Sequence, residues 1–270
     1  MSILGRILEE PPFRLLAYFA VKRFARSAET LDRWGAVDRP HYFAGVLAGA
    51  AQALREGITE VSVFEFGVAG GNGLVALQAH SDLIERETGV RIRVFGFDSG
   101  EGLPELCGDH RDHPDQWRAS DYRMDVPRLK QRLTPRTSLV LGDIATTLPR
   151  FVADGPPPTA FVAVDVDLYS STRDVLHLFT ASGKRMLRRV PMYFDDVDFF
   201  FNHRFAGELF AIDEFNRTQP VVRIDKWRGV RKGRVFTEDP WLDKMYVAHD
   251  LEAISRCTLQ RLPSTECSLE

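Results

Sequence analysis

Acidic side chains give the first chemical signal in this sequence. Asp165-Val-Asp167-Leu-Tyr169-Ser-Ser-Thr172 and Phe194-Asp195-Asp196 each leave a short β-rich run, which makes their carboxylates candidates for one crevice. Gathering three or four buried carboxylates is costly without a compensating cation. Oxygen donors with no cysteine or obvious histidine among them favour Mg²⁺, with Mn²⁺ and Ca²⁺ as alternatives. A cation held there could orient a substrate hydroxyl and lower its pKa, leaving a competent nucleophile. The competing reading is structural: Asp167 or Asp196 would cap a helix or pair with an arginine.

The second signal is a glycine-rich turn, Glu65-Phe-Gly67-Val-Ala-Gly-Gly71-Asn72-Gly73. Glycines let such a turn take unusual dihedrals and let a ligand approach the backbone. A dinucleotide-binding fingerprint would need glycine at position 69, where alanine stands. The spacing instead resembles the first motif of class I methyltransferases, whose cofactor, S-adenosylmethionine, has no pyrophosphate to cradle. Glu65, Gly67, Gly71, Asn72 and Gly73 are the cofactor-binding candidates from this turn. Asp98, with Ser99 beside it, ends a second β-rich run, where an acid can accept from ribose hydroxyls. Asp143, after a third run, could accept from an adenine amino group.

These residues need elements to hold them. β-rich runs are expected at Val61–Gly67, Ile92–Asp98, Ser138–Gly142, Ala160–Asp165 and Val190–Asp195, with late strands at Val221–Ile224 and Met245–Ala248. Helical patterns fill the gaps at Gly73–Glu87, Ser171–Thr180 and Phe205–Asn216. Alternation of this kind predicts an α/β fold: a class I methyltransferase Rossmann-like, doubly wound, mostly parallel sheet. Ligands in such sheets bind beyond the carboxyl ends of the strands, where the acids converge. Residues 1–58 are expected to form an N-terminal helical arm, with a helix opening at Pro40, and residues 59–270 the cofactor-binding domain. An insertion falls near residues 104–128.

Four segments together resemble the macrocin-type (TylF-like) O-methyltransferases: Glu65–Gly73, Phe97-Asp-Ser-Gly-Glu-Gly-Leu-Pro104, Asp165-Val-Asp-Leu-Tyr169 with Ser171-Thr172, and Asp195-Asp196. The likeness spans roughly residues 60–200. It implies methylation of natural-product sugars with S-adenosylmethionine and Mg²⁺. By it, Asp165, Asp195 and Asp196 would hold the metal, and Asp165 would also lie beside the reacting hydroxyl as the catalytic residue. The chain departs from the family at Val166, at Ser99-Gly100, and at Val197-Asp198-Phe199-Phe200, where tyrosine and glycine usually follow the acidic pair. It reads as a separate branch.

Composition narrows the rest. A net charge of −3 over 270 residues offers no global basic field and argues against nucleic-acid binding. Three cysteines with no paired spacing suit a reducing cytoplasm. The apolar stretch from Leu15 to Val21 stops at Lys22 and Arg23, far short of a membrane span. Residues 1–28 carry Arg6, Arg14, Lys22, Arg23 and Arg26 among Phe13, Leu16, Phe19 and Phe24, the pattern of a basic amphipathic helix. Homo-oligomer contact is the expected use of that helix, and membrane-surface contact the alternative. The acceptor is expected to be a small molecule or glycan. Asp109-His110-Arg111-Asp112-His113-Pro-Asp115-Gln-Trp117 would be a solvated loop or an acceptor lid. Arg228, Arg231, Lys232 and Arg234, and Lys184, Arg185, Arg188 and Arg189, are basic clusters that could meet an anionic acceptor or simply face water. His203 and His249 rank below Asp165 as bases. A metal-dependent hydroxylase and a non-catalytic cofactor-binding assembly protein remain as alternatives.

Overall fold

The computed structural model describes residues 13–180, 185–199 and 201–258. The first turns of the expected arm, Lys184 of one basic cluster, Phe200 and Cys267 lie outside the described residues. Among the described residues three helices come first: α1 (Phe13–Phe24), α2 (Ala28–Trp34) and α3 (Pro40–Glu56). Alternating elements follow: β1 (Glu60–Phe66), α4 (Asn72–Thr88), β2 (Arg91–Asp98), α5 (Val126–Lys130), β3 (Thr137–Leu141), α6 (Ile144–Ala153), β4 (Thr159–Val164) and α7 (Tyr169–Leu176). The described residues continue through β5 (Arg189–Phe194), α8 (Gly207–Thr218), β6 (Val222–Lys226), β7 (Met245–Asp250) and α9 (Leu251–Ser255).

Seven strands form one sheet in the order β3-β2-β1-β4-β5-β7-β6. Strands β1 to β5 pair in parallel, and β7 runs antiparallel between β5 and β6. Central strands covered on both faces must be apolar throughout rather than alternating. Val61, Val63, Phe64 and Phe66 of β1 and all six residues of β4 are accordingly buried. Strand order reverses between β1 and β4, and a crevice opens beyond their carboxyl ends at that switch point.

Helices cover both faces. Phe64 of β1 meets Phe151 of α6 edge-on, while the next residue, Glu65, meets Tyr42 of α3, so α3 and α6 lie on opposite sides. α3 sits hard against β4: a Cβ at Gly49 would fall 2.3 Å from the Ala160 carbonyl oxygen. The expected arm over residues 1–58 therefore divides. α3 is core, with Tyr42 and Phe43 fully buried. α1 lies on the surface, resting Tyr18 on Phe236 and turning Phe13, Leu15, Leu16, Phe19 and Phe24 outward.

Candidate active site

The glycine-rich turn links β1 to α4 through two tight approaches. A Cβ at Gly67 would lie 1.6 Å from the Asp165 carbonyl oxygen, so only glycine lets the ends of β1 and β4 meet there. Gly71, the residue before α4, has φ +78°, a left-handed conformation that favours glycine. Asp98 fastens the turn from β2. Its Oδ2 accepts from the N–H groups of Val68 (2.8 Å) and Ala69 (2.9 Å), and its Oδ1 from Gly100 (2.7 Å). The loop-capping role is thus observed, in a side chain that also lines the cavity described next. Asp143 lies just past β3 and caps α6 by accepting from Ala145 N–H at 3.1 Å. Ser99 Oγ closes its own loop by donating to the Gly102 carbonyl at 2.7 Å. Asn72 accepts from Arg132 at 3.1 Å.

Of the cofactor-binding candidates, Glu65, Gly67, Gly71, Asn72, Asp98, Ser99 and Asp143 line one cavity of about 980 Å³, and the carboxylate cluster lines it too. Gly73 stands behind the wall, where its missing side chain makes room for Glu65; a Cβ there would meet Glu65 Oε1 at 1.7 Å. Glu65 is buried and accepts from the Tyr42 hydroxyl at 2.8 Å, while its Oε2 has no partner. Burial pushes its carboxyl up to about 8, the Tyr42 hydrogen bond offsetting part of that rise.

Oxygens of Asp165, Asp195 and Asp196 lie within 4.8 Å of one another. Burial, then the charges of Asp195 and Asp167, raise Asp165 to about 7. Burial and the charges of Asp167, Asp165 and Asp195 raise Asp196 to about 8. Asp196 Oδ2 is buried without a partner. An acidic donor set this crowded, with an orphaned oxygen, fits a hard divalent cation that would neutralise it. No histidine belongs to this group among the described residues. Two side chains set the loop after β5. Glu208, wholly buried on α8, accepts from Asp196 N–H at 2.8 Å. Lys244 donates to the Asp195 carbonyl at 2.6 Å and pairs with Asp198 at 2.9 Å.

Strand alternation does not place Asp167 beside Asp165, because β4 ends at Val164. It reaches the cavity by a different route: its backbone turns left-handed, φ +59°. It makes neither of the structural contacts considered for it, and burial followed by Asp195 and Asp121 raises it to about 7. The insertion after β2 closes over the same cavity with Trp117, Ser120 and Tyr122. Asp112 latches it, accepting from Ser170 N–H and Ser170 Oγ, both at 2.8 Å, on α7. His113 packs against Phe199 and His203 rather than joining the acidic group. His249 belongs to β7, away from the cavity lining.

Four members of the basic clusters are paired: Arg228 with Asp225, Arg231 with Asp243, Arg234 with Asp32 and Arg188 with Glu56. Sequence reasoning missed Arg39, which lines the cavity. Position alone could not reveal it, since it lies in the turn before α3, outside every motif.

No protein-family model and no curated protein matches the chain. Solved structures do. The chain is similar to the calicheamicin methyltransferase CalS11, with a TM-score of 0.54 at 20% identity over 89% of this chain and 93% of that one. It is also similar to the O-methyltransferase NovP, with a TM-score of 0.52 at 17% identity over 78% and 79%. The fold is that of the class I methyltransferases. Among the described residues no helix is long and apolar enough to cross a membrane.

Proposed function

We propose that the chain is an S-adenosylmethionine-dependent O-methyltransferase acting on a hydroxyl of a sugar, glycan or natural-product small molecule, with Mg²⁺ held by Asp165, Asp195 and Asp196. One observation carries this reading. The glycine turn with Asp98 and Asp143, and the carboxylate group with Asp167, line a single cavity at the strand-order switch. The structural neighbours named above are themselves called methyltransferases, which supports the same reaction class.

When bound, S-adenosylmethionine would supply an electrophilic methyl group and Mg²⁺ a Lewis acid beside the acceptor oxygen. The protein does the rest. Gly67, Gly71 and Asp98 fix one end of the cavity, so displacement at the methyl carbon needs little reorganisation. Asp165, whose backbone abuts Gly67, opens the carboxylate end of the cavity and is assigned the acceptor proton. Asp167 stands outside the ligand trio, free of metal duty, and is a second acceptor for that proton. Trp117 and Tyr122 shield this end from water.

A metal-dependent hydroxylase would call for histidine beside the carboxylates, and the described group holds none. α1 is assigned to contact with a second copy, through its outward phenylalanines and leucines. Cys107 and Cys257 are free and exposed, consistent with a cytoplasmic protein. Calorimetry with S-adenosylhomocysteine tests the core of the assignment, and labelled methyl transfer to a panel of hydroxylated acceptors tests the reaction. No binding to the unaltered protein would end this reading, and activity surviving EDTA would end the metal's part in it.

A further inference from the structure

Among the described residues lining the cavity stand ten acids and a single cation, Arg39. A ligand bringing a carboxylate into such a space is repelled everywhere except beside that guanidinium. Arg39 immediately precedes α3 and faces Tyr42, Glu65, Asp165 and Tyr193. Its guanidinium lies 5.4 Å from the centre of the Tyr42 ring. Among the described residues the guanidinium makes no hydrogen bond or ion pair, which leaves its donors unspent. Next to it, Glu65 carries the buried oxygen without a partner.

The backbone adds a separate indication. Arg39 has φ +50° and ψ +64°, left-handed geometry that a residue with a Cβ adopts at a cost. Proline at position 40 disfavours the ordinary helical alternative for the residue before it. Glycine would fit this turn more easily, so an arginine stands here against its conformational preference.

We infer that Arg39 binds the carboxylate of the cofactor's amino-acid end, while Glu65 faces the neighbouring ammonium group. This rests on the methyltransferase reading above and assigns a recognition residue that lies outside every motif. A zwitterionic α-amino acid presents opposite charges one carbon apart, matching an arginine and a carboxylate set side by side. The adenosine half, held at Asp98 and Asp143, gains nothing from Arg39.

Two probes separate the halves. S-adenosylhomocysteine carries the amino-acid end; 5′-deoxy-5′-methylthioadenosine lacks it. Calorimetry on the full chain should show that Arg39→Gly weakens S-adenosylhomocysteine roughly ten- to a hundredfold, the loss of one charge-assisted pair. Methylthioadenosine should bind within about twofold of the unaltered protein. Glycine relieves the left-handed turn, so its melting temperature should hold or rise; Arg39→Gln repeats the measurement with the side chain's bulk retained. Equal weakening of both probes, or no weakening of either, overturns the assignment. Binding of neither probe by the unaltered protein instead overturns the methyltransferase reading beneath it.

Discussion

Asp165, Asp167, Asp195 and Asp196 differ in duty although they share a charge. Asp195→Asn and Asp196→Asn should each weaken Mg²⁺ by more than about tenfold, measured by calorimetry, while S-adenosylhomocysteine affinity changes little. Asp167→Asn should leave Mg²⁺ affinity nearly intact and lower kcat, whereas Asp165→Asn should lower both. Equal Mg²⁺ losses at Asp167 and Asp195 would show that the division of labour is wrong. The raised carboxyls also set a pH dependence. Asp165 and Asp167 near 7, and Asp196 near 8, all sit above their unfolded value of 3.8, so the metal-free fold holds extra protons between those limits. Stability from these groups is full below about pH 4 and is lost as pH rises through 7 to 8. Mg²⁺ should therefore raise the melting temperature more at pH 8 than at pH 5.5 in scanning calorimetry.

The turn between β1 and α4 offers three glycine substitutions with different outcomes. A Cβ on Gly70 meets nothing within 4 Å, so Gly70→Ala should fold normally and still weaken S-adenosylhomocysteine by intruding where the ligand approaches. Gly67→Ala drives a methyl into the Asp165 carbonyl and should cost about 2–4 kcal/mol of stability, visible as a lowered urea midpoint. Gly71→Val should lose binding and stability together, because its side chain also strikes Leu129. Normal S-adenosylhomocysteine binding by Gly70→Ala would argue against close backbone approach. The turn, the strands on either side and the acids beyond them were legible from spacing and from β-rich runs, because local sequence determines them. Arg39 and Glu208 were not legible. Their roles arise where α3 and α8 cross the sheet, and neither helix pattern says which residue ends beside the carboxylates. Asp98 was half legible: its place at the strand end was clear, but its grip on two backbone N–H groups depends on register between β1 and β2.

The parallel sheet, the helices on both faces and the position of the crevice followed from alternation of elements along the chain. The reversal of β7 did not, since a short apolar run carries no direction. On the surface, α1 leaves Leu16 68% and Phe19 64% exposed. Replacing both with glutamate should lower the mass seen by light scattering while leaving S-adenosylhomocysteine binding in place; an unchanged mass would remove α1 from assembly. β7 has a consequence in time. Asp195 and Asp196 leave β5, whose outer edge stays unpaired until Met245–Asp250 has been made and docked. Lys244, which holds the Asp195 carbonyl, arrives in the same stretch. A nascent chain therefore carries every acid of the cluster well before it can arrange them, with an open strand edge available to other chains meanwhile. A chain stopped at residue 243 would keep each candidate ligand, yet it should bind Mg²⁺ poorly and aggregate: the last of the described strands to be synthesised is the one that completes the acidic cluster.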